Sequence, residues 1–246
     1  MKIKEKNEEY YKEHIGFLIT LVPSYSLYEI NKFFSEDLLV RGHLILISGL
    51  NTDDTTFLSD YKIDSTRYYE EQKHLTNTYI KAMISDKDRT SDPDFNFIRT
   101  LMEKELIDIY KRQKCLLPPT YFPAGVCAPG MRRLFVSPEG TFYMCERVGY
   151  HLPIGDIDNG IEITKVRNII SDYIILFDEN CANCWSLCLC KHCFSSARKG
   201  ENLSMDKRKE ICEIQKNSIH NNLVLYMTIL EKNPQSFDYM KEIKIS

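Results

Sequence analysis

The chain has 246 residues, of which 43% are hydrophobic and 27% are charged. This composition is typical of a folded globular protein and argues against an intrinsically disordered chain. The formal net charge is only −3, so we expect no general electrostatic attraction to nucleic acid or to an anionic membrane surface.

The first part of the chain has the pattern of a parallel β-sheet with connecting helices. Ile15–Val22 and Gly42–Leu50 are nearly continuous apolar runs, which predict two buried parallel strands. Between them, Ser26 and Glu29 have the spacing of a capping box and predict a helix over 27–39. Two further helices are predicted, at 64–86 and 95–112. Strand, helix and strand in this order indicate the α/β class.

The second part of the chain starts near Pro118 and Pro119, because a pair of prolines stops any preceding helix. We therefore predict a first domain at 1–112 and a second domain at 113–246. In the second domain, alternating apolar residues predict a β-hairpin with strands at 132–136 and 141–145. The other predicted elements are a helix at 161–170, a segment without regular structure at 181–203, and a long helix from the cap Ser204 to Lys232.

Cysteine is the most informative residue type in this chain. There are nine cysteines, an odd number, and the Lys/Glu-rich N-terminus has no apolar core of a secretion signal. These features argue against a disulfide scaffold and predict a cytoplasmic protein whose cysteines bind metal. All nine lie in the second predicted domain: Cys115, Cys127, Cys145, Cys181, Cys184, Cys188, Cys190, Cys193 and Cys212.

The cysteine spacing predicts shared metal sites. The densest segment reads Cys181-x2-Cys184-x5-Cys190-x2-Cys193. Thiolates in sets of four suit either zinc or iron–sulfur clusters. The predicted hairpin would bring Cys127 and Cys145 together, and Gly140 in its turn would permit the positive φ that a tight return needs.

The same spacing resembles a known family. The pattern is similar to that of the SPASM domain. It consists of a cysteine, then Gly-x4-Cys, then Cys-x2-Cys-x5-Cys, a nearby fourth cysteine and a distal last one. That domain carries auxiliary clusters in radical S-adenosylmethionine (SAM) enzymes that modify peptides. The segment Cys127–Asp158 resembles the thioether-forming maturases of sactipeptides and ranthipeptides, and Leu21–Phe34 is similar to a strand and helix in the later half of their barrel.

The resemblance implies two [4Fe–4S] clusters. It implies that one set of cysteines holds the first cluster: Cys127, Cys145 and Cys193. It implies that a second set holds the second cluster: Cys181, Cys184, Cys190 and Cys212. Cys115 is a candidate for a fourth ligand of the first cluster. Cys188 is an extra thiol within ligand reach, so the choice between Cys188 and Cys190 stays open.

The chain also departs from the family pattern. The Cys-x3-Cys-x2-Cys motif, whose three thiolates leave one iron open to SAM, is absent from the sequence. We therefore expect the C-terminal half of a radical SAM TIM-like barrel, followed by an irregular, cysteine-rich α+β SPASM domain with a hairpin and a C-terminal helix. Such a chain would be a truncated or split portion of an enzyme. It would be inactive alone and would use SAM only within a complete enzyme.

The resemblance implies that the substrate is a ribosomal precursor peptide in which a thioether cross-link forms. A separate radical SAM chain is a candidate partner. A different class of function stays open, because two Cys-x2-Cys pairs also bind zinc. In that case the chain would be a zinc-binding structural or interaction module with no catalytic role.

Overall fold

The two apolar runs near the N-terminus form a parallel pair of strands, β1 (Gly16–Leu21) and β2 (Leu44–Gly49). The computed structural model describes residues 2–49, 64–85, 92–112, 127–177, 179–200 and 202–243. The fold is mixed α/β with small sheets, as the sequence predicts at the level of class. No helix in these ranges is long and apolar enough to span a membrane.

The chain divides into two compact units, one formed by residues 1–111 with 223–246 and the other by residues 112–222. The helices of the first unit are α1 (Lys2–Lys6), α2 (Glu8–His14), α3 (Leu27–Glu36), α4 (Ser65–Met83) and α5 (Asn96–Lys111), with 3₁₀ helices at Pro93–Phe95 and Asp238–Lys241. What each predicted domain does stays a prediction.

A hydrogen-bonded cap fixes the start of α3, as the Ser26 and Glu29 spacing predicts. Ser26 Oγ accepts from the Glu29 backbone N–H at 3.3 Å. The buried Glu71 of α4 accepts from Ser26 Oγ at 2.9 Å and from the Leu27 N–H at 2.6 Å. Because unpaired amides at a helix start need acceptors, Glu71 fixes α3 against α4. The helix ends at Glu36 rather than at the predicted residue 39.

The prediction that both strands are buried is wrong for one face of the sheet. Ile45 of β2 is 3% exposed and faces the helices, where α5 packs against β2. On the opposite face, Leu18 is 70% exposed, Leu44 is 65% exposed and Leu46 is 55% exposed. Continuous apolar runs are typical of sheets covered on both faces. In the described part of the chain, these three leucines are left uncovered.

The second unit contains a four-stranded antiparallel sheet in the order β3-β4-β5-β6, and a separate hairpin. Its strands are β3 (Phe135–Val136), β4 (Thr141–Tyr143), β5 (Pro153–Asp156), β6 (Gly160–Ile161), β7 (Arg198–Lys199) and β8 (Asn202–Leu203). Its helices are α6 (Ile163–Ile175), α7 (Glu179–Ala182) and α8 (Phe194–Ala197), with 3₁₀ helices at Glu146–Val148 and Leu187–Leu189. The helix α9 (Met205–Lys232) runs from this unit into the first one.

The predicted hairpin is confirmed, with shorter strands than expected. Gly140 adopts φ +85° in its turn, and its N–H donates to the Ser137 carbonyl at 2.9 Å. The positive φ favours glycine at this position, and a Cβ there would also come within 2.9 Å of the Ile157 side chain. The segment 181–203 contains three short helices and a hairpin. The prediction of no regular structure there is therefore wrong.

A single apolar core supports the second unit. Tyr173 of α6 is fully buried and lies 4.5 Å, centroid to centroid, from the ring of Phe194 in α8. The other members come from the sheet, the connecting segments and α6: Tyr143, Met144, Val148, Leu152, Ile154, Ile169, Leu176 and Ala197. This core fixes the position of α8 and therefore of the cysteines that precede it.

Candidate metal centre

The four cysteines of the second predicted set line one hollow in the second unit, which we call the cysteine cavity. It comprises two adjoining spaces of about 350 Å³ and about 20 Å³. Both spaces are lined by Cys181, Cys184 and Cys212, and Cys190 lines the smaller one. Three separate parts of the chain supply these thiols: α7 and the residues after it, the segment at 190, and α9.

Helix α9 presents one face to the cysteine cavity. Arg208, Cys212 and Lys216 follow each other at intervals of four residues, so they lie on the same side of the helix, and all three line both spaces. The predicted cap at Ser204 is confirmed, since its Oγ accepts from the Lys207 N–H at 3.4 Å. This cap sets the start of α9 and hence the position of this face.

Arg208 is a buried cation in direct contact with a predicted ligand. Its side chain is 5% exposed, and its Nη2 donates to Cys181 Sγ at 3.1 Å. Its Nη1 donates to the Leu176 carbonyl oxygen. The guanidinium carbon lies 4.8 Å from the ring centroid of Phe177 and 5.6 Å from that of Tyr173. These contacts orient the guanidinium toward the thiols.

The cavity has a positive lining. Besides Arg208 it contains Lys209, Lys216 and Glu213, and Lys216 pairs with Glu213 at 3.2 Å. The hydrogen bond to Glu213 is the largest cause that raises the pKa of Lys216, with a further contribution from Cys212, so the ammonium stays charged. Lys209 is exposed, so water screens its charge, whereas the buried Arg208 would be balanced by a negatively charged occupant.

His192 lines the smaller space, and one of its ring nitrogens has no hydrogen-bond partner among the described residues. Ser196 Oγ donates to the Cys193 carbonyl at 2.7 Å, so it accepts from His192 Nδ1 at 3.1 Å. Burial, together with the charge of Arg208, lowers the pKa of His192 and keeps the ring neutral. In this tautomer Nε2 carries a lone pair, and it is buried without a partner among the described residues. A metal ion or a proton donor in the cavity would satisfy it.

The described structure separates Cys190 from Cys188. Cys190 is partly buried and lines the cavity, whereas Cys188 is exposed within the 3₁₀ helix at Leu187–Leu189. Burial is the largest cause that raises the pKa of the Cys190 thiol. Cys184 Sγ lies 3.1 Å from Ser186 Oγ, a contact that orients the sulfur. Of the two candidates, Cys190 is the one positioned to act together with Cys181, Cys184 and Cys212.

The first predicted set is only partly assembled. Cys145 precedes the 3₁₀ helix at Glu146–Val148, and Cys193 precedes α8. These two helices touch, and Ser195 Oγ donates to the Arg147 carbonyl at 3.0 Å, so the two cysteines lie in one region. Cys127 is exposed, and Cys115 lies outside the described residues.

Within the described ranges, no three Cys, His, Asp or Glu side chains converge closely enough to hold a single metal ion. The four thiols of the second set surround a hollow instead of meeting at one point. A lone zinc ion needs its sulfurs about 2.3 Å from one centre. All four thiols line the smaller space, and three of them also line the larger one. The positive lining favours an anionic metal–thiolate occupant over a bare cation.

The cavity also contains residues that the sequence analysis did not single out as functional. Arg208 and Lys216 are spaced four residues to either side of Cys212, so a predicted helix with Cys212 as a ligand would have placed both beside the site. His192 lies between Cys190 and Cys193, but its unpaired Nε2 depends on Ser196 and on burial. The sequence gives no direct signal for those two conditions.

Comparison of the chain with protein-family models, with curated proteins and with solved structures gave no match. The likeness to the SPASM domain therefore depends on the sequence features described above: the cysteine and glycine spacing and the segments Cys127–Asp158 and Leu21–Phe34.

Proposed function

We propose that this chain is an iron–sulfur module that supplies auxiliary clusters to a peptide-modifying radical SAM enzyme. The observation that carries the proposal is the cysteine cavity. The four cysteines that the resemblance assigns to the second cluster, Cys181, Cys184, Cys190 and Cys212, line one space, although Cys181 and Cys212 lie 31 positions apart in the sequence. Their shared position supports the proposal that they act together.

The electrostatics of the cavity support an iron–sulfur occupant. A [4Fe–4S] cluster with four thiolate ligands is anionic, and the cavity offers a positive lining with a guanidinium hydrogen bond to Cys181 Sγ. When bound, such a cluster supplies one-electron transfer. The chain's own residues orient the thiols, exclude water from Cys190 and balance charge through Arg208 and Lys216.

A first cluster, held by Cys127, Cys145 and Cys193, belongs to the same proposal. Less of the structure supports this first cluster. The short helices that follow Cys145 and Cys193 contact each other, and no such contact places Cys127 beside them in the described residues. Three thiols would leave one iron without a cysteine ligand. That open iron is the position at which a cysteine of the precursor peptide would bind before a thioether forms.

The first unit belongs, in this proposal, to an incomplete radical SAM barrel. Its two parallel strands carry helices on one face and expose Leu18, Leu44 and Leu46 on the other. In a barrel, side chains on the inner face pack against those of further strands. The chain has no Cys-x3-Cys-x2-Cys motif, so SAM cleavage would depend on residues that this sequence does not contain.

A zinc-binding interaction module is the second candidate. The observation that favours it is the unpartnered Nε2 of His192 beside four thiols, because zinc accepts mixed cysteine and histidine ligands. Zinc would leave the protein colourless and insensitive to oxygen, whereas iron–sulfur clusters are coloured and degrade in air.

Anaerobic reconstitution with iron, sulfide and zinc together distinguishes the two functions. We expect the protein to turn brown and to bind iron and sulfide in equal amounts, about four of each per cluster. Cys212→Ala removes a thiol of the second set and should lose the iron of that cluster alone. Exclusive zinc uptake, or unchanged iron in Cys212→Ala, would rule out the proposed function.

A further inference from the structure

Arg208 is a buried cation that pairs with no acidic side chain among the described residues. Its contacts in the described part of the chain are a sulfur, a backbone carbonyl and two aromatic rings. Burying an unpaired charge is costly, so buried arginines are normally matched by carboxylates or other anions. The side chain is nevertheless 5% exposed and lies against Cys181.

The position of Arg208 on its helix adds to this cost. It is the fourth residue of α9, which begins at Met205. Helix N-termini carry partial positive charge, and a cation there is disfavoured. Neither helix formation nor an ion pair with another described residue explains a buried arginine in this place. An anion inside the cysteine cavity explains it, because the guanidinium lines both of its spaces.

We propose that Arg208 is a positioning residue that sets the reduction potential of the cluster held by Cys181, Cys184, Cys190 and Cys212. The inference rests on the proposed function. Reduction adds one electron, so the cluster and its thiolates become more negative by one elementary charge. A fixed positive charge and an N–H···S hydrogen bond stabilise the reduced form more than the oxidised form. Arg208 therefore raises the potential and favours reduction.

The test is a redox titration of the anaerobically reconstituted full-length protein, with dithionite as reductant and the reduced cluster followed by electron paramagnetic resonance. The variants are Arg208→Gln and Lys209→Gln. Both remove one positive charge from the lining of the cavity, but Lys209 is exposed. Water and salt screen an exposed charge, so Lys209→Gln serves as the matched control.

We expect Arg208→Gln to lower the ratio of reduced to oxidised second cluster about tenfold at a fixed solution potential, equivalent to about 59 mV for one electron. Lys209→Gln should leave that ratio close to the wild-type value. If two clusters titrate, only one couple should shift. Arg208→Lys keeps the charge and loses the forked hydrogen bond, so its shift should be in the same direction and smaller.

The outcomes separate this inference from the proposed function. A wild-type protein that binds no iron–sulfur cluster overturns both. The role of Arg208 alone is overturned if the wild-type protein binds its clusters but the Arg208→Gln and Arg208→Lys variants titrate like Lys209→Gln. If Arg208→Gln does not fold, as judged by circular dichroism, the Arg208→Lys titration decides, and an unshifted potential there counts against the inference.

Discussion

At the scale of single residues, the most informative comparison is between Cys188 and Cys190. The two thiols are separated by one residue, yet only Cys190 is buried enough to line the cysteine cavity. The spacing alone leaves both available as ligands. The 3₁₀ helix at Leu187–Leu189 decides between them, because it directs neighbouring side chains to different sides.

We predict that Cys190→Ala lowers the iron and sulfide content of the second cluster and that Cys188→Ala leaves it at the wild-type value. The loss follows because a [4Fe–4S] cluster depends on its thiolate ligands. Iron and sulfide analysis measures the result. The single tryptophan, Trp185, adjoins Cys184 and offers a second readout, since cluster formation nearby should quench its fluorescence. Equal iron loss in both variants would contradict the assignment.

Residue spacing could predict part of this site and not the rest. The spacing pairs Cys181 with Cys184, and the resemblance implies Cys212 as a further member of that set; all three line the larger space of the cavity. It could not reveal the buried guanidinium of Arg208, because a buried arginine and a solvated arginine look alike in a sequence. The unpaired nitrogen of His192 likewise depends on Ser196 and on the core beneath α8, which are properties of the folded chain.

At the scale of secondary-structure elements, the sequence predicts the type and order of the helices and strands better than it predicts which of their faces are buried. The parallel pair β1 and β2, the cap at Ser26 and the long helix after Ser204 all form where expected. The burial of the strands was predicted incorrectly, because a run of apolar residues indicates two covered faces and the described chain covers one.

The two faces of β2 give a direct test at this scale. Ile45 is 3% exposed and Leu46 is 55% exposed. We predict that Ile45→Ala lowers the free energy of unfolding by about 2–5 kcal/mol, because it opens a cavity beneath the helices. Leu46→Ala should change it by about 0.5 kcal/mol or less. Urea denaturation measures both. A similar loss in the two variants would show that Leu46 is also covered in solution.

At the scale of the whole molecule, two units of different character share one chain. The first unit is an open parallel pair of strands with helices on one face, and the second is a small antiparallel sheet with a cysteine-lined cavity. The proposed function needs both: the second unit would hold clusters, and the exposed leucines of the first unit would meet the remainder of a barrel.

Native mass spectrometry of the anaerobically reconstituted chain can identify what the proposed cluster sites bind. Intact clusters and zinc ions add different masses, so one spectrum identifies the occupant and counts it. We predict a dominant species with two [4Fe–4S] clusters, or about eight iron atoms per chain. A species that carries only zinc, or a chain that binds no metal at all, would contradict the account.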